Sequence, residues 1–418
     1  MRCAPSIARL LLGTILFPVC CSPVGLQAQH FRVVTEGETQ IAFNTGGSRY
    51  PGDLFRLEIE RSLVQDTDRE ESLLFGPRNF VVDDDGYAYV ADSRNHRLAL
   101  FDPADGYLRS YGSEGDGPGA FRELSIQAFH EGVLHLHDRS LNRTTLMNTD
   151  GSLVDLLTTP PMGRITAYRY LRPGGGVIVL TSQEDMREGH RWGTVRAALF
   201  DAAGDTITVL SCPSADIGTY VEFYHPDGSF RSRANQYTRY AGFPQAGYHP
   251  KTGIVLVNGQ VPEFDIYRTD GTLDRHVVLD LAPERIPRSE IRLERADHEE
   301  RIRESTGMQR EMAEASRDAR EWRRTRAFWE GLLFDDHGNI WLQVVEGRLT
   351  NIENDSRRLF DVISPRGEHL GRTRLPGRYT DLTICHGYVC AIERNSETGE
   401  PVPTLYRLIP QAEGFIYP

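Results

Sequence analysis

The sequence predicts an all-β fold: a six-bladed β-propeller with an N-terminal strand closing the last blade and a helical insert between blades four and five. Three observations carry this. Residues 76–121 hold four short strands in about 45 residues, the size of one propeller blade. A glycine that opens a short apolar strand recurs six times along the 418-residue chain. The turn that should precede a fourth strand occurs in only five of the six units, and an alternating segment near the N-terminus offers the missing strand.

Residues 1–28 read as an export signal, with Arg2 and Arg9 ahead of the apolar run from Leu10 to Val19 and Gly25-Leu26-Gln27-Ala28 at the cleavage site. Cys20-Cys21 raises a second reading, a lipoprotein anchor, which the bulky Phe17-Pro18-Val19 before it argues against. No other apolar run is long enough to span a bilayer. Residues 29–53 form an arm. In 54–63, Phe55, Leu57 and Ile59 alternate with Arg56, Glu58 and Glu60, the period of a half-buried strand. That strand is expected to close blade six, because an open edge is a liability; an irregular arm is the alternative.

Blade one sets the pattern. Strands are expected at Phe80 to Val82, Tyr87 to Ala91, Leu98 to Asp102 and Tyr107 to Tyr111, with a polar loop from Asp92 to His96. The glycine before the second strand suits a turn that needs positive φ. It recurs as Gly86, Gly132, Gly176, Gly253, Gly338 and Gly387. The second turn recurs as Phe101…Gly106, Met147…Gly151, Phe200…Gly204, Tyr267…Gly271 and Ile363…Gly367. The blades fall at about 79–111, 124–158, 165–211, 243–279, 331–375 and 379–408, within a propeller spanning 54–418. In blade three, Ser182 to Thr194 reads as a long loop, followed by an aromatic connection without obvious structure that includes Tyr220, Phe223, Tyr224, Phe230 and Tyr237.

The D-x-D-G-x-x-Y-V-A-D, N-x-R and F-D…G elements of residues 76–121 resemble an NHL-type repeat. The chain is similar to bacterial six-bladed propellers of that kind, many of them exported and without an assigned activity. Blade two keeps Gly132, Asp138, Asn142-Arg143 and Asp150-Gly151, while blades three to six keep mainly the glycines and the apolar pattern.

Residues 288–330 form the insert. Ser289 is a candidate cap for a first helix, and Thr306-Gly307 breaks it. Met308, Met312, Ala315, Ala319, Trp322 and Trp329 fall on one stripe of a second helix, which docks on the propeller as a cap or serves a partner.

The formal charge of −12 becomes −14 once Arg2 and Arg9 are removed, and charge of both signs is interspersed. Nucleic acid is therefore excluded as a partner, since its binding depends on phosphate neutralisation. Cys212, Cys385 and Cys390 remain after cleavage. The last two flank the His386-Gly387 turn, as a disulfide or as two buried thiols.

Residues ending the second strands approach the top rim: Asp92, His137 with Asp138, Thr181 with Ser182, Asn258, Gln343 and Glu393. The binding set is Asp92, Arg94, His137, Asp138, Arg139 and Asn258, with the two arginines suited to a carboxylate. His135-x-His137 is a two-ligand zinc pattern without a third ligand at metal-site spacing. No metal or cofactor is assigned, with calcium or zinc in the collar as the alternative. His130, His249, His337 and His386 precede turn glycines at the opposite opening, and no shared site is expected. Nucleophile elbow, phosphate loop, H-E-x-x-H and EF-hand patterns are absent from the sequence.

Two functions fit. The first is a monomeric, non-enzymatic binding or scaffold propeller, exported to the periplasm or secreted, that recognises a protein, peptide or glycan on its top face. The second is a cation-dependent propeller enzyme, lyase or lactonase-like, with its site in the central channel. Convergence of several rim side chains on one point separates them.

Overall fold

The computed structural model describes residues 30–63, 69–104, 106–158, 167–347, 357–376, 382–395 and 397–417. Residues 1–28, read from sequence as an export signal, and with them Cys20-Cys21, lie outside these. The fold is all-β apart from two α-helices among the described residues, and its strands form six largely antiparallel sheets.

The first sheet shows how the local sequence sets the structure. Pro77–Val82, Ala88–Asp92, Arg97–Phe101 and Tyr107–Tyr111 pair in chain order. Asp83 organises the first turn: Oδ1 accepts the Asp85 and Tyr87 amides and Oδ2 accepts the Tyr89 hydroxyl. Asp335 repeats the device in the fifth sheet, accepting the His337 and Asn339 amides and the Trp341 indole N–H. All six marker glycines have positive φ. At Gly253 a Cβ would also lie 2.3 Å from the Tyr267 carbonyl oxygen, so two constraints select glycine there.

Each sheet packs on the next through its first strand, and the sixth packs on the first. The apolar cores are accordingly shared: one cluster joins Phe80, Leu134 and Ile392 from three sheets, and another joins Val255 with Leu342. Polar side chains tie neighbouring first strands together. Asn79 exchanges two hydrogen bonds with the Ile126 backbone, Gln127 Nε2 donates to the Arg169 carbonyl, and Gln245 Nε2 donates to the Glu330 carbonyl. Each bond satisfies a polar group facing the middle of the molecule, where leaving it unpaired would cost about 1–3 kcal/mol.

Phe55–Ser62 pairs antiparallel with Pro401–Pro410, so a strand from the N-terminal side completes the sixth sheet. Phe55 is 4% exposed and stacks on Trp341 at 5.6 Å, with Phe415 and Tyr417 edge-on.

Several segments differ from the sequence reading. Residues 29–53 contain a hairpin, Phe31–Glu36 with Thr39–Asn44, whose second strand runs parallel to Leu273–Leu279 and widens the fourth sheet to six strands. Ser182 to Thr194 is no loop: Val177–Arg187 and His190–Phe200 are long strands that turn at Glu188-Gly189. The aromatic connection is itself a hairpin, Ala215–Tyr224 with Phe230–Tyr237, which pairs onto that extension. Both sides of the extension are partly wet, so the apolar alternation that marks a half-buried strand is missing from its sequence.

The helices are α1, Arg288–Glu304, and α2, Gly307–Asp318. Ser289 lies inside the first turn of α1 and Pro287 holds the cap position, so no side-chain cap forms. α2 ends at Asp318, well short of the expected stripe: Trp322 follows the helix and Trp329 is the buried first residue of Trp329–Phe334. Nor does α1 dock by an apolar face. Its buried residues are Glu290, Glu294, His298 and Ile302, at spacings of four. Glu290 accepts from the Tyr240 hydroxyl and from Arg326, and Glu294 pairs with Arg239 at 2.6 Å.

Candidate functional site in the central channel

The first strands of the six sheets surround a channel of about 740 Å³. Its upper mouth, where those strands begin, is polar. Glu330 Oε1 accepts Gln343 Nε2–H at 2.7 Å, and Gln343 Oε1 accepts from Arg358 at 3.2 Å. These groups sit where they do because Gly331 pairs with Gln343 across adjacent strands. Glu330 is exposed and lines the channel. Its partial enclosure by the surrounding protein raises its carboxyl above the ordinary range, opposed by Arg358, Gln343 and Arg239 and helped by Glu346. A carboxylate held this way in a cavity marks a candidate site.

The lower mouth collects histidines. The rings of His130 and His249 are 4.9 Å apart, and His135 lies 5.8 Å from His130. The sequence reading kept His130 and His249 apart because their sheets are not adjacent; both end first strands facing the channel, and they meet beside the third sheet. Burial lowers the three imidazoles, His130 and His135 to about 4 and His249 to about 3. His249 Nδ1 accepts the Lys251 amide at 3.2 Å, which places the proton on Nε2, and that atom has no hydrogen-bond partner.

The rim residues selected from sequence do not converge on one point. Asp92 is fully buried and braces the entry to its sheet, with Oδ1 accepting the Phe75 and Gly76 amides and Oδ2 accepting from Asn95 and Arg97. Asp138 does the same for the second sheet, accepting the Arg122, Glu123 and Leu141 amides. Asn258 donates to the Pro213 carbonyl and accepts the Gln260 amide. The His137 ring is 2% exposed, 5.0 Å from the Tyr168 ring, with both nitrogens unpaired and its pKa lowered by burial to about 4. Arg94 and Arg139 are exposed, the latter 3.7 Å from Glu123. Cys385 and Cys390 are buried free thiols with sulfurs 3.9 Å apart.

Of the upper-mouth residues, the sequence singled out Gln343 and missed Glu330, Gln245 and Arg358. The available signal was a polar residue at the start of a strand, which only ring closure turns toward the channel.

No family model matches the chain, and no curated protein matches it. Among solved structures, the chain is similar to a candidate exported protein from Bacteroides fragilis NCTC 9343, at 11% identity and TM-score 0.45, covering 84% of this chain and 95% of that one. It is also similar to a DUF4221 family member from Bacteroides vulgatus, at 11% identity and TM-score 0.45, covering 86% and 99%. Virginiamycin B lyase from Staphylococcus aureus matches at 11% identity and TM-score 0.35, covering 84% and 99%. At these scores no residue role or activity transfers.

Proposed function

We propose that this protein is an exported, six-bladed NHL-like propeller acting as a monomeric, non-enzymatic binding module for a protein, peptide or glycan on the upper face. The observation that carries this is the paired-hairpin extension of the third sheet. On it, Tyr224 and Phe230 are 55% and 56% exposed and touch edge-on at 6.1 Å, and Arg233 lies over the rings of Tyr220 and Phe230. Exposed aromatics backed by arginine are the usual anchors of recognition surfaces. The use of Asp92, Asp138 and Asn258 as loop braces and the burial of His137 favour binding over chemistry at the rim, while Arg94 and Arg139 are the exposed rim groups retained for ligand contact. In this reading the helices are an insert beside the upper mouth.

The test is partner capture and glycan-array binding with the wild type and a Tyr224→Ser/Phe230→Ser variant. Loss of the ligand with an unchanged melting transition is expected, because both rings are exposed. Undiminished binding by the variant rejects the surface.

A second reading, a cation-dependent enzyme of the channel, draws on Glu330, whose raised carboxyl suits proton transfer. Turnover lost in Glu330→Gln would support it.

A further inference from the structure

His190, Asp216 and Glu321 come from three separate parts of the chain: the start of His190–Phe200, the hairpin strand Ala215–Tyr224, and the segment after α2. One donor atom from each lies within 4.8 Å of the other two. Each ring nitrogen of His190 faces a carboxylate, Nδ1 at 3.0 Å from Asp216 Oδ2 and Nε2 at 3.9 Å from Glu321 Oε1. An imidazole and two carboxylates thus converge from three parts of the chain on one small, partly solvent-accessible space.

The backbone around the cluster is fixed. The Asp216 carbonyl accepts from Gln260 Nε2 and from Arg323 Nη2, both at 2.7 Å, and Asp216 Oδ1 accepts the Gly218 amide at 3.2 Å. His190 follows a tight turn in which Glu188 and Gly189 have φ of 52° and 82°. The backbones carrying two of the three donors are thus held in place, and Glu321 approaches them with a side chain 62% exposed.

We propose that these three residues form a binding site for a divalent transition-metal ion, zinc foremost. One imidazole nitrogen and two carboxylate oxygens are the donors zinc takes, and solvent has access to complete the shell. Bound there, the ion would clip the hairpin extension to the segment leaving the helices.

The test is isothermal titration of zinc chloride into chelator-treated protein. One zinc per chain is expected. Glu321→Gln should weaken uptake about 10–100-fold, His190→Asn should abolish it, and His225→Asn, at an exposed histidine elsewhere, should leave it unchanged. Glu321→Gln carries the decision should His190→Asn misfold, because its side chain is largely in solvent. Absence of uptake by the wild type, or equal uptake by Glu321→Gln, overturns the proposal.

Discussion

Arg326 and Glu290 meet at 2.6 Å with their side chains 4% and 2% exposed, and this pair joins α1 to the strand region that leads into the fifth sheet. Tyr240 donates to the same carboxylate, and Glu284 accepts from the same guanidinium. Glu290→Ala leaves a buried guanidinium short of a partner and a buried hydroxyl without its acceptor. The expected loss is about 3–5 kcal/mol in denaturant unfolding. A Glu290→Met/Arg326→Met variant should recover much of it, since removing both charges removes the desolvation penalty. A double variant as unstable as the single one would show that the pair is worth more than its burial costs.

The lower-mouth histidines predict acid sensitivity. His130, His135 and His249 have folded pKa values near 4, 4 and 3, below the ordinary 6.5. Between those values and 6.5 the unfolded chain binds more protons than the folded one, so stability falls as pH falls. It is fully present above pH 6.5 and lost progressively toward pH 3–4. His276 opposes the trend: the hydrogen bond its ring N–H donates to Asp265 raises its pKa, and its contribution is lost as pH rises. Melting temperatures between pH 7 and pH 4 should decline, and His249→Gln should flatten the decline. An unchanged slope in that variant would remove His249 from the account.

The closing strand predicts a second kind of loss. Phe55→Ala removes a buried ring packed between Trp341, Phe415 and Tyr417. The expected cost is about 3–5 kcal/mol, and unfolding should stay a single transition. Deleting 54–63 should abolish cooperative unfolding, because the last sheet would keep an open edge; a deletion that merely lowers the midpoint would make the strand an accessory.

Two turn glycines should respond differently to alanine. Gly387 has φ of 75° and open space where a Cβ would go, so Gly387→Ala should cost about 1–2 kcal/mol of backbone strain. Gly253→Ala adds a collision with the Tyr267 carbonyl and should cost more. Equal midpoints in chemical unfolding would count against the steric part.

The features legible in the sequence were those with a local physical cause. Glycine turns, the strand at Phe55–Ser62 and the helix break at Thr306-Gly307 coincide with observed structure, although Ile59 of the expected alternation is exposed. The hairpin extension was not legible, because strands wetted on both sides lose their period. The docking face of α1 was unreadable for a related reason, since it is made of carboxylates that count as solvent-facing until their arginine partners are known. The channel groups fell furthest out of reach. The 4.9 Å between His130 and His249 depends on how three sheets are turned about a common axis, and no local pattern encodes that angle.

The pairing of Phe55–Ser62 with Pro401–Pro410 also sets an order of events. A chain made from its N-terminus carries the first of these strands without its partner until nearly all the rest exists. During that wait it is a strand edge that could pair wrongly. Arg56, Glu58 and Glu60, interleaved with its apolar residues, keep it soluble in the interval and then face outward once the ring is joined. Joining the two ends is a contact of very high sequence separation, the kind whose loop-closure entropy slows folding. Truncation near either end would therefore remove the same bond.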